Sequence, residues 1–281
     1  MEKNLAQTAA TNMNDNPFHD VGSVFPGEVS IVSVTPQTRV GDALKMMLEK
    51  RFSQIPVMEN GEVHGVFSLW SLAQHLPISG ASKVQNLLED MEVGELMEQL
   101  PKVTVKDSIH SILNQLERHE ALLVDSPHGL QAIATSSDVL RYFYRVARPF
   151  ILLQEIELAL RNLIEICAPG EKLIECINRA LAKSCQARGW TVPTDLKEMS
   201  FEDYRTILTC TTNWPLFEGL LGHNRDLVSA KLERLREIRN AVFHFRTDIS
   251  LLDHQTLATS REWLLGKLKR TANIGKEQSH A

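Results

Sequence analysis

Two kinds of hydrophobic pattern follow one another in the first half of the chain, and this order occurs twice. Each copy opens with alternating apolar residues, VSVT at 32–35 and VTV at 103–105, which predict a strand. Apolar positions three or four residues apart come next and predict an amphipathic helix. These positions are Ala43, Met46 and Met47 in the first copy and Ile109, Ile112 and Leu116 in the second.

Each copy continues with two short apolar strands joined by a turn. The first copy reads IPVM, ENGE and GVFS between 55 and 68, and the second reads ALLV, SPHG and AIAT between 121 and 135. Gly and Pro beside Asn or Ser are typical turn residues. Each second strand leads directly into a helix. Ser68 aligns with Thr135, and we call the separation of these two residues in the sequence the repeat offset. The first half is therefore predicted to be a tandem repeat.

The second half shows helical spacing and no strand pattern, which favours an all-α bundle. Pro149 is expected to end one helix and open the next, because proline is tolerated in a first turn. A long helix over 224–246 carries one apolar stripe, formed by Val228, Leu232, Leu235, Ile238, Val242 and Phe245. Further helices are expected at about 150–167 and at 171–188. Another should follow a cap formed by Ser200 and Asp203, and a short one should lie near WPLFEGLL. The last is expected at about 254–271, with Asp253 as its cap.

These patterns predict an α+β protein, with a tandem α/β module followed by an all-α helical bundle. The start of the chain, rich in Asn, Thr and Ala, is expected to be a disordered leader. The predicted divisions are the leader at 1–20, the module at 21–147 with repeats at about 28–80 and 95–147, the bundle at 148–272 and a flexible tail at 273–281.

Composition adds an asymmetry of charge. Residues 1–147 hold 11 Lys/Arg and 18 Asp/Glu, whereas residues 148–281 hold 19 and 17, so the second half is the better candidate for a polyanionic partner. The chain has no apolar run of membrane-spanning length and no apolar signal-peptide core near its start. Its four cysteines include no CxxC pair. These features predict a cytoplasmic protein without a membrane segment or a metal site.

The repeated half resembles a tandem pair of CBS domains over about residues 28–146. The matching motifs are Thr35-Pro36, Asp42-Ala43, Ile55-Pro56-Val57 with Gly61, and Gly65-Val66-Phe67-Ser68. The resemblance implies a two-fold module with a cleft between its halves, and in the family that cleft often holds an adenine nucleotide. AMP, ADP, ATP or S-adenosylmethionine is therefore expected as a regulatory ligand.

The second repeat carries residues suited to such a ligand. Thr135 ends a strand at a predicted helix start, where a hydroxyl and backbone N–H groups suit a phosphate. Asp138 could accept hydrogen bonds from both ribose hydroxyls. The corresponding first-repeat residues are Ser68 and Ser71, so the family's aspartate is missing there. The alternative is that Asp138 is an ordinary helix cap in a module that serves mainly for dimerisation.

The long helix has a polar face of unusual content. At about 100° per residue, Asn240 and His244 lie nearly opposite the apolar stripe, and Arg239 lies at its margin. Phe243 also falls off the stripe. A large aromatic residue at that place suggests a second buried surface, such as a dimer interface.

The run Arg239-Asn240-Ala241-Val242-Phe243-His244, with the upstream segment EIELALRNLI, resembles the HEPN superfamily over about residues 148–272. The resemblance implies a dimer with a composite site and, in catalytic members, metal-independent ribonuclease activity. Histidine can move the proton of the RNA 2′-hydroxyl, and arginine can hold the phosphate. Asn240 is expected to orient His244 or the phosphate. The expected accessory or RNA-binding residues are Glu157, Arg161, Arg236 and Arg246.

The sequence thus predicts a homodimer, joined through both halves, in which an adenine nucleotide regulates a metal-independent endoribonuclease. His244 would be the general acid/base and Arg239 the phosphate clamp. Stress response or phage defence would suit such an enzyme. Two alternatives stay open: a non-catalytic nucleotide-binding and dimerisation module that acts with a partner protein, and an accessory to a separately encoded nucleotidyltransferase.

Overall fold

The computed structural model describes residues 20–25, 30–76, 81–245 and 249–278, so the predicted leader lies outside the described residues except for Asp20. The chain separates into two compact units, Met1–Tyr144 and Arg145–Ala281. The first contains strands and helices, and the described part of the second is helical, so the predicted α+β class is confirmed. None of the helices in the described ranges is long and apolar enough to cross a membrane.

The first repeat is built on one antiparallel hairpin. It contains α1 (Val40–Lys50), β1 (Gln54–Glu59), β2 (Glu62–Ser68) and α2 (Leu69–His75). The strand predicted at 32–35 is reduced to an isolated parallel bridge between Val34 and Val57. Two helices that were not predicted follow, α3 (Ala81–Asp90) and α4 (Val93–Leu96).

The second repeat has the same order with a complete first strand. It contains β3 (Lys102–Thr104), α5 (Ile109–Leu116), β4 (Ala121–Ser126), β5 (Gly129–Thr135) and the start of α6 (Ser136–Cys167). Strand β4 lies between β3, which is parallel to it, and β5, which is antiparallel.

The two hairpins share one register. Gln54 pairs with Ser68, and the equivalent residues of the second repeat, Ala121 and Thr135, pair in the same way. Each hairpin also has a bulge at the same place. The predicted repeat is therefore confirmed down to single residue pairs.

Two short Val-Gly segments tie the repeats together. Gly22 precedes the first repeat but donates its N–H to Val105 in the second, at 2.9 Å. Gly94 precedes the strands of the second repeat but donates to Pro36 in the first, at 2.8 Å. A Cβ at Gly94 would lie 3.1 Å from the same Pro36 carbonyl, which accounts for glycine at this close approach. Each repeat therefore receives a backbone hydrogen bond from the segment that precedes the other repeat.

The second unit combines the rest of α6 with α7 (Glu171–Arg188), α8 (Phe201–Thr209), α9 (Trp214–Leu221), α10 (Arg225–Phe243) and α11 (Leu251–Gln278). The predicted bounds of α7 and the cap of α8 are confirmed. Helix α11 starts earlier than predicted, because Ser250 is its cap and accepts the Asp253 N–H at 3.1 Å. It extends to Gln278, into the predicted tail, of which residues 279–281 lie outside the described part.

The helix break expected at Pro149 is wrong, because α6 runs through it. An internal proline removes one backbone hydrogen bond and costs about 3 kcal/mol. Apolar side chains are buried on both sides of it, among them Val139 and Leu153. Val139 belongs to the core of the first unit and Leu153 to the core of the second, so each part of α6 is anchored in its own unit.

Helix α10 ends before the predicted residue 246. His244 is its C-cap, and Phe245 has a φ of 50°, which takes the chain off the helical path. Phe245 is 83% exposed, so its assignment to the apolar stripe is wrong. The stripe ends at Val242, and its other predicted members are buried.

Candidate functional sites

A cleft of about 420 Å³ lies in the first unit, where the two repeats contribute equivalent positions. Ser53 is matched by Glu120 at the repeat offset, and Trp70 is matched by Ser137. The cleft therefore lies between the two repeats, which line it with equivalent positions. Its lining residues are Ser53, Gln54, Leu69, Trp70, Leu116, Glu120, Thr135, Ser136 and Ser137.

The two sides of this cleft differ in chemistry. The first repeat presents Leu69 and Trp70, which are 43% and 54% exposed. The second repeat contributes Thr135, Ser136 and Ser137, three hydroxyl-bearing residues at the start of α6. An aromatic surface opposite a row of hydroxyls suits a ligand with a flat apolar part and a polar part, as a nucleoside has.

Thr135 and Asp138, the predicted nucleotide-binding pair, are in direct contact. The Thr135 N–H and hydroxyl both donate to Asp138 Oδ2, at 3.0 and 2.6 Å. The Asp138 N–H points back to Thr135 Oγ1 at 3.4 Å, so Thr135 is the helix cap and Asp138 its reciprocal partner. Thr135 lines the cleft, whereas Asp138 is not among the lining residues. Its other oxygen, Oδ1, is 3.6 Å from Arg141.

Ser68 and Ser71 form the same reciprocal cap in a closed environment. Each backbone N–H donates to the other hydroxyl, at 3.0 and 2.9 Å. The two residues are only 4% and 2% exposed, and the Ser68 hydroxyl donates to Glu98. Glu98 reaches this place because its backbone pairs with that of Val66 in β2, at 2.8 and 2.9 Å. Neither serine is among the residues that line the cleft.

In the second unit, Glu157 of α6 lies between two arginines. Its carboxylate oxygens are 3.6 Å from Arg239 Nε and 3.8 Å from Arg161 Nη2. The predicted i, i+4 pairing of Glu157 with Arg161 is confirmed. Since one carboxylate faces two guanidinium groups, this group of three keeps one positive charge.

The Arg239 guanidinium lies over the Phe243 ring, 4.8 Å from its centroid. That ring packs edge-on against Phe150, with 5.5 Å between centroids. Phe243 thus has an aromatic partner within the chain, and 43% of its surface stays exposed, so the dimer interface expected there stays a prediction. The buried Arg239 Nε–H has no hydrogen-bond acceptor within the described ranges.

His244 is exposed at the end of α10, and its backbone N–H donates to the Asn240 carbonyl at 3.1 Å. The Asn240 side chain accepts a long hydrogen bond from Arg239 Nη1, at 3.4 Å. The contact with His244 is a backbone bond of the helix, so the expected orienting role of Asn240 stays a prediction. The three residues Arg239, Asn240 and His244 are grouped in the last turn of α10 and at its cap.

The arginines predicted to contact RNA are paired with carboxylates where the structure describes them. Arg236 pairs with Glu233 and lies 3.5 Å from Glu202. Arg236 is therefore part of a charge network and not of a bare cationic patch. Arg246 lies outside the described residues.

Three contributors to these sites were missed from the sequence. Tyr204 is fully buried and accepts a hydrogen bond from Arg161 Nε at 2.7 Å, while its hydroxyl donates to the Leu196 carbonyl at 2.6 Å. Burial raises the pKa of the Tyr204 phenol, and the Arg161 contact opposes that rise. Trp70 and Glu120 line the cleft. Glu120 stands at the repeat offset from Ser53, and this is the sequence signal that could have identified it.

The CBS-domain family model matches residues 26–78. Similar solved structures include a CBS-domain-containing protein of unknown function from Bacillus anthracis, with 21% identity and a TM-score of 0.40 over 46% of this chain and 96% of that one. CBSX2 in complex with AMP is 24% identical, with a TM-score of 0.37 over 45% and 97%. No curated protein sequence matches the chain. Since the hairpin and helices of the first repeat occupy the matched range, the chain contains a CBS domain at residues 26–78.

Proposed function

We propose that this protein binds an adenine-type ligand in the cleft of its first unit and cleaves RNA, without a metal ion, with its helical unit. The CBS domain and the pairing of Trp70 with a hydroxyl-lined helix start support the first part. The state of Arg239 carries the second part. Its guanidinium is held in place by Glu157 and Phe243, and it lies in the last turn of α10, just before the exposed His244.

This arrangement suits the chemistry of RNA cleavage by an internal nucleophile. The 2′-hydroxyl attacks the adjacent phosphorus, the bond to the 5′-oxygen breaks, and a 2′,3′-cyclic phosphate and a 5′-hydroxyl result. His244 takes the proton of the 2′-hydroxyl or protonates the departing oxygen. Arg239 binds the phosphate and stabilises its developing charge. In a dimer, two such helix ends would combine into one site, as the resemblance to HEPN proteins implies.

The test is cleavage of total RNA in EDTA by the full chain, with and without AMP, ADP, ATP and S-adenosylmethionine. We expect His244→Ala to reduce cleavage by about a hundredfold or more, because general acid–base catalysis contributes about 10²–10⁴-fold. The matched control is His223→Ala, which removes another exposed histidine of the same unit before α10 begins. Cleavage that survives His244→Ala, or that is absent from the wild type in every condition, would contradict the proposal.

A second function is favoured by the carboxylates that pair with the arginines of α10. Arg234 pairs with Glu237 and Asp253, and Arg236 with Glu233, so much of the positive charge that RNA would need is neutralised within the chain. In this alternative the protein is a non-catalytic dimerising module that binds a nucleotide and acts with a partner protein. A wild-type dimer that binds an adenine ligand but cleaves no RNA would favour it.

A further inference from the structure

The cleft carries an electrostatic preference that its aromatic and hydroxyl groups do not suggest. Of the lining residues that the structure describes, none is Lys, Arg or His, and one, the exposed Glu120, is acidic. The sequence of residues 1–147 has the same sign of charge, with 11 Lys/Arg against 18 Asp/Glu. A nucleoside triphosphate, with about four negative charges, would meet repulsion from both sources.

The helix start that would otherwise attract a phosphate is already compensated. The first turn of α6 holds the Asp138 carboxylate, which accepts two hydrogen bonds from Thr135. A carboxylate at this position neutralises much of the partial positive charge at a helix N-terminus. The remaining groups are the Ser136 and Ser137 hydroxyls, which bind neutral polar atoms as readily as anions.

Two lining residues, one from each repeat, favour a cation. Trp70 is 54% exposed, and an indole face attracts both a flat base and a positively charged group. Glu120 belongs to the same lining. Its two-fold counterpart is the uncharged Ser53, so this charge is specific to one repeat.

We infer that Glu120 makes the cleft selective for an adenosyl ligand without phosphate, neutral or cationic, of which a sulfonium nucleoside is the best match, over AMP, ADP and ATP. This inference rests on the proposed ligand-binding function of the cleft. Trp70 would contact the base or the sulfonium, Glu120 the ammonium group, and the hydroxyls at the start of α6 the ribose or a carboxylate.

Isothermal titration calorimetry of the full chain at low ionic strength tests the selectivity, with adenosine, S-adenosylmethionine, AMP and ATP as probes. We expect the wild type to bind S-adenosylmethionine most tightly and ATP at least about tenfold more weakly. Glu120→Gln should reduce the difference, because it removes a negative charge from the lining, and Glu120→Lys should reverse the order, because it also adds a positive charge. Glu117→Gln is the matched control, because Glu117 is exposed nearby and does not line the cleft. Trp70→Ala marks the site and should weaken every ligand.

The outcomes distinguish a failure of the proposed selectivity from a failure of the adenine site itself. Tighter binding of AMP or ATP than of S-adenosylmethionine, or an order unchanged by Glu120→Gln, overturns the selectivity and leaves the adenine site standing. Affinities that respond to neither Trp70→Ala nor Glu120→Gln place the ligand elsewhere and overturn the inference too. Absence of binding by all four probes overturns both the inference and the proposed function of the cleft.

Discussion

The second helices of the two repeats begin with the same reciprocal cap, but the caps lie in opposite environments. Ser68 and Ser71 are buried and bonded to each other, and Ser68 is further occupied by Glu98. Thr135 and Asp138 form the matching contacts in the second repeat, and Thr135 lies on the wall of the cleft. One cap is part of a sealed interior, and the other lies at a surface that a ligand can reach.

This difference separates what a helix needs from what a site needs. Any helix start has unpaired backbone N–H groups, and a hydroxyl with a partner three residues later satisfies them in either repeat. Whether the same residues also meet a ligand depends on what approaches from elsewhere in the fold. In the first repeat the Glu98 side chain accepts a hydrogen bond from the cap, and the pairing of its backbone with Val66 holds it there. The duplicated sequence therefore keeps the cap in both repeats, while the surroundings of each cap decide its use.

The largest effect on stability is expected when the buried cap of the first repeat is given a carboxylate like that of Asp138 in the second repeat. Ser71→Asp reproduces the residue type of Asp138 at a position only 2% exposed. The new carboxylate would be buried close to Glu98, which already bonds to Ser68. We expect a loss of about 3 kcal/mol in the free energy of unfolding, since an uncompensated buried charge costs about 3–5 kcal/mol. Urea denaturation followed by circular dichroism measures it.

Ser71→Asn is the control for this change, because it has the same size without the charge. We expect it to cost clearly less than Ser71→Asp. The cost of the aspartate should also fall as the pH is lowered and its carboxyl group becomes protonated. Equal losses for both variants at neutral pH would mean that space, and not charge, distinguishes the two caps.

A smaller, crossed effect is expected when each hydroxyl cap is removed. Ser68→Ala should cost about 1–2 kcal/mol of stability, because a helix cap is lost and Glu98 loses its donor. It should leave adenine-ligand affinity unchanged. Thr135→Val should cost about 1 kcal/mol but weaken the ligand about tenfold, since Thr135 lines the cleft. Denaturation and calorimetry on both variants check this, and equal effects on binding would remove the proposed distinction.

The local part of the structure could be predicted from the sequence because its causes are local. The hairpin register follows from alternation and turn residues, which is why Ser68 and Thr135 align in the structure as they do in the sequence. The bounds of α7 follow from its spacing and from Gly189, which ends it with a φ of 69°. The pairing of Glu157 with Arg161 follows from their separation of one helical turn.

The rest depends on contacts between distant residues. Pro149 stays inside α6, whose two parts are buried in different cores, whereas the local rule for proline ends a helix there. Arg161 meets Tyr204 of another helix. Trp70 and Glu120 reach the same cleft from different repeats and share no motif. The sequence motif identified Arg239 but could not predict its contacts with Glu157 and Phe243, because the contact with Glu157 forms only when α6 and α10 pack together.

The smallest effect is expected at the edge of the exposed cap. Arg141 is 80% exposed and lies 3.6 Å from Asp138, and the residue at its place in the first repeat is Gln74. Arg141→Gln therefore gives the second repeat the residue of the first. An exposed ion pair contributes about 0–1 kcal/mol, and at this exposure we expect a loss below about 0.5 kcal/mol.

The effect of Arg141→Gln on ligand affinity is more informative than its effect on stability. Arg141 competes for Asp138 Oδ1, the oxygen that the cap does not use. If Asp138 accepts a ribose hydroxyl, removing this competitor should leave adenosine affinity equal or raise it about twofold. A clear loss of adenosine affinity in Arg141→Gln, measured by calorimetry, would show instead that the arginine contacts the ligand. The cationic contribution missing from the cleft lining would then come from the helix surface beside it.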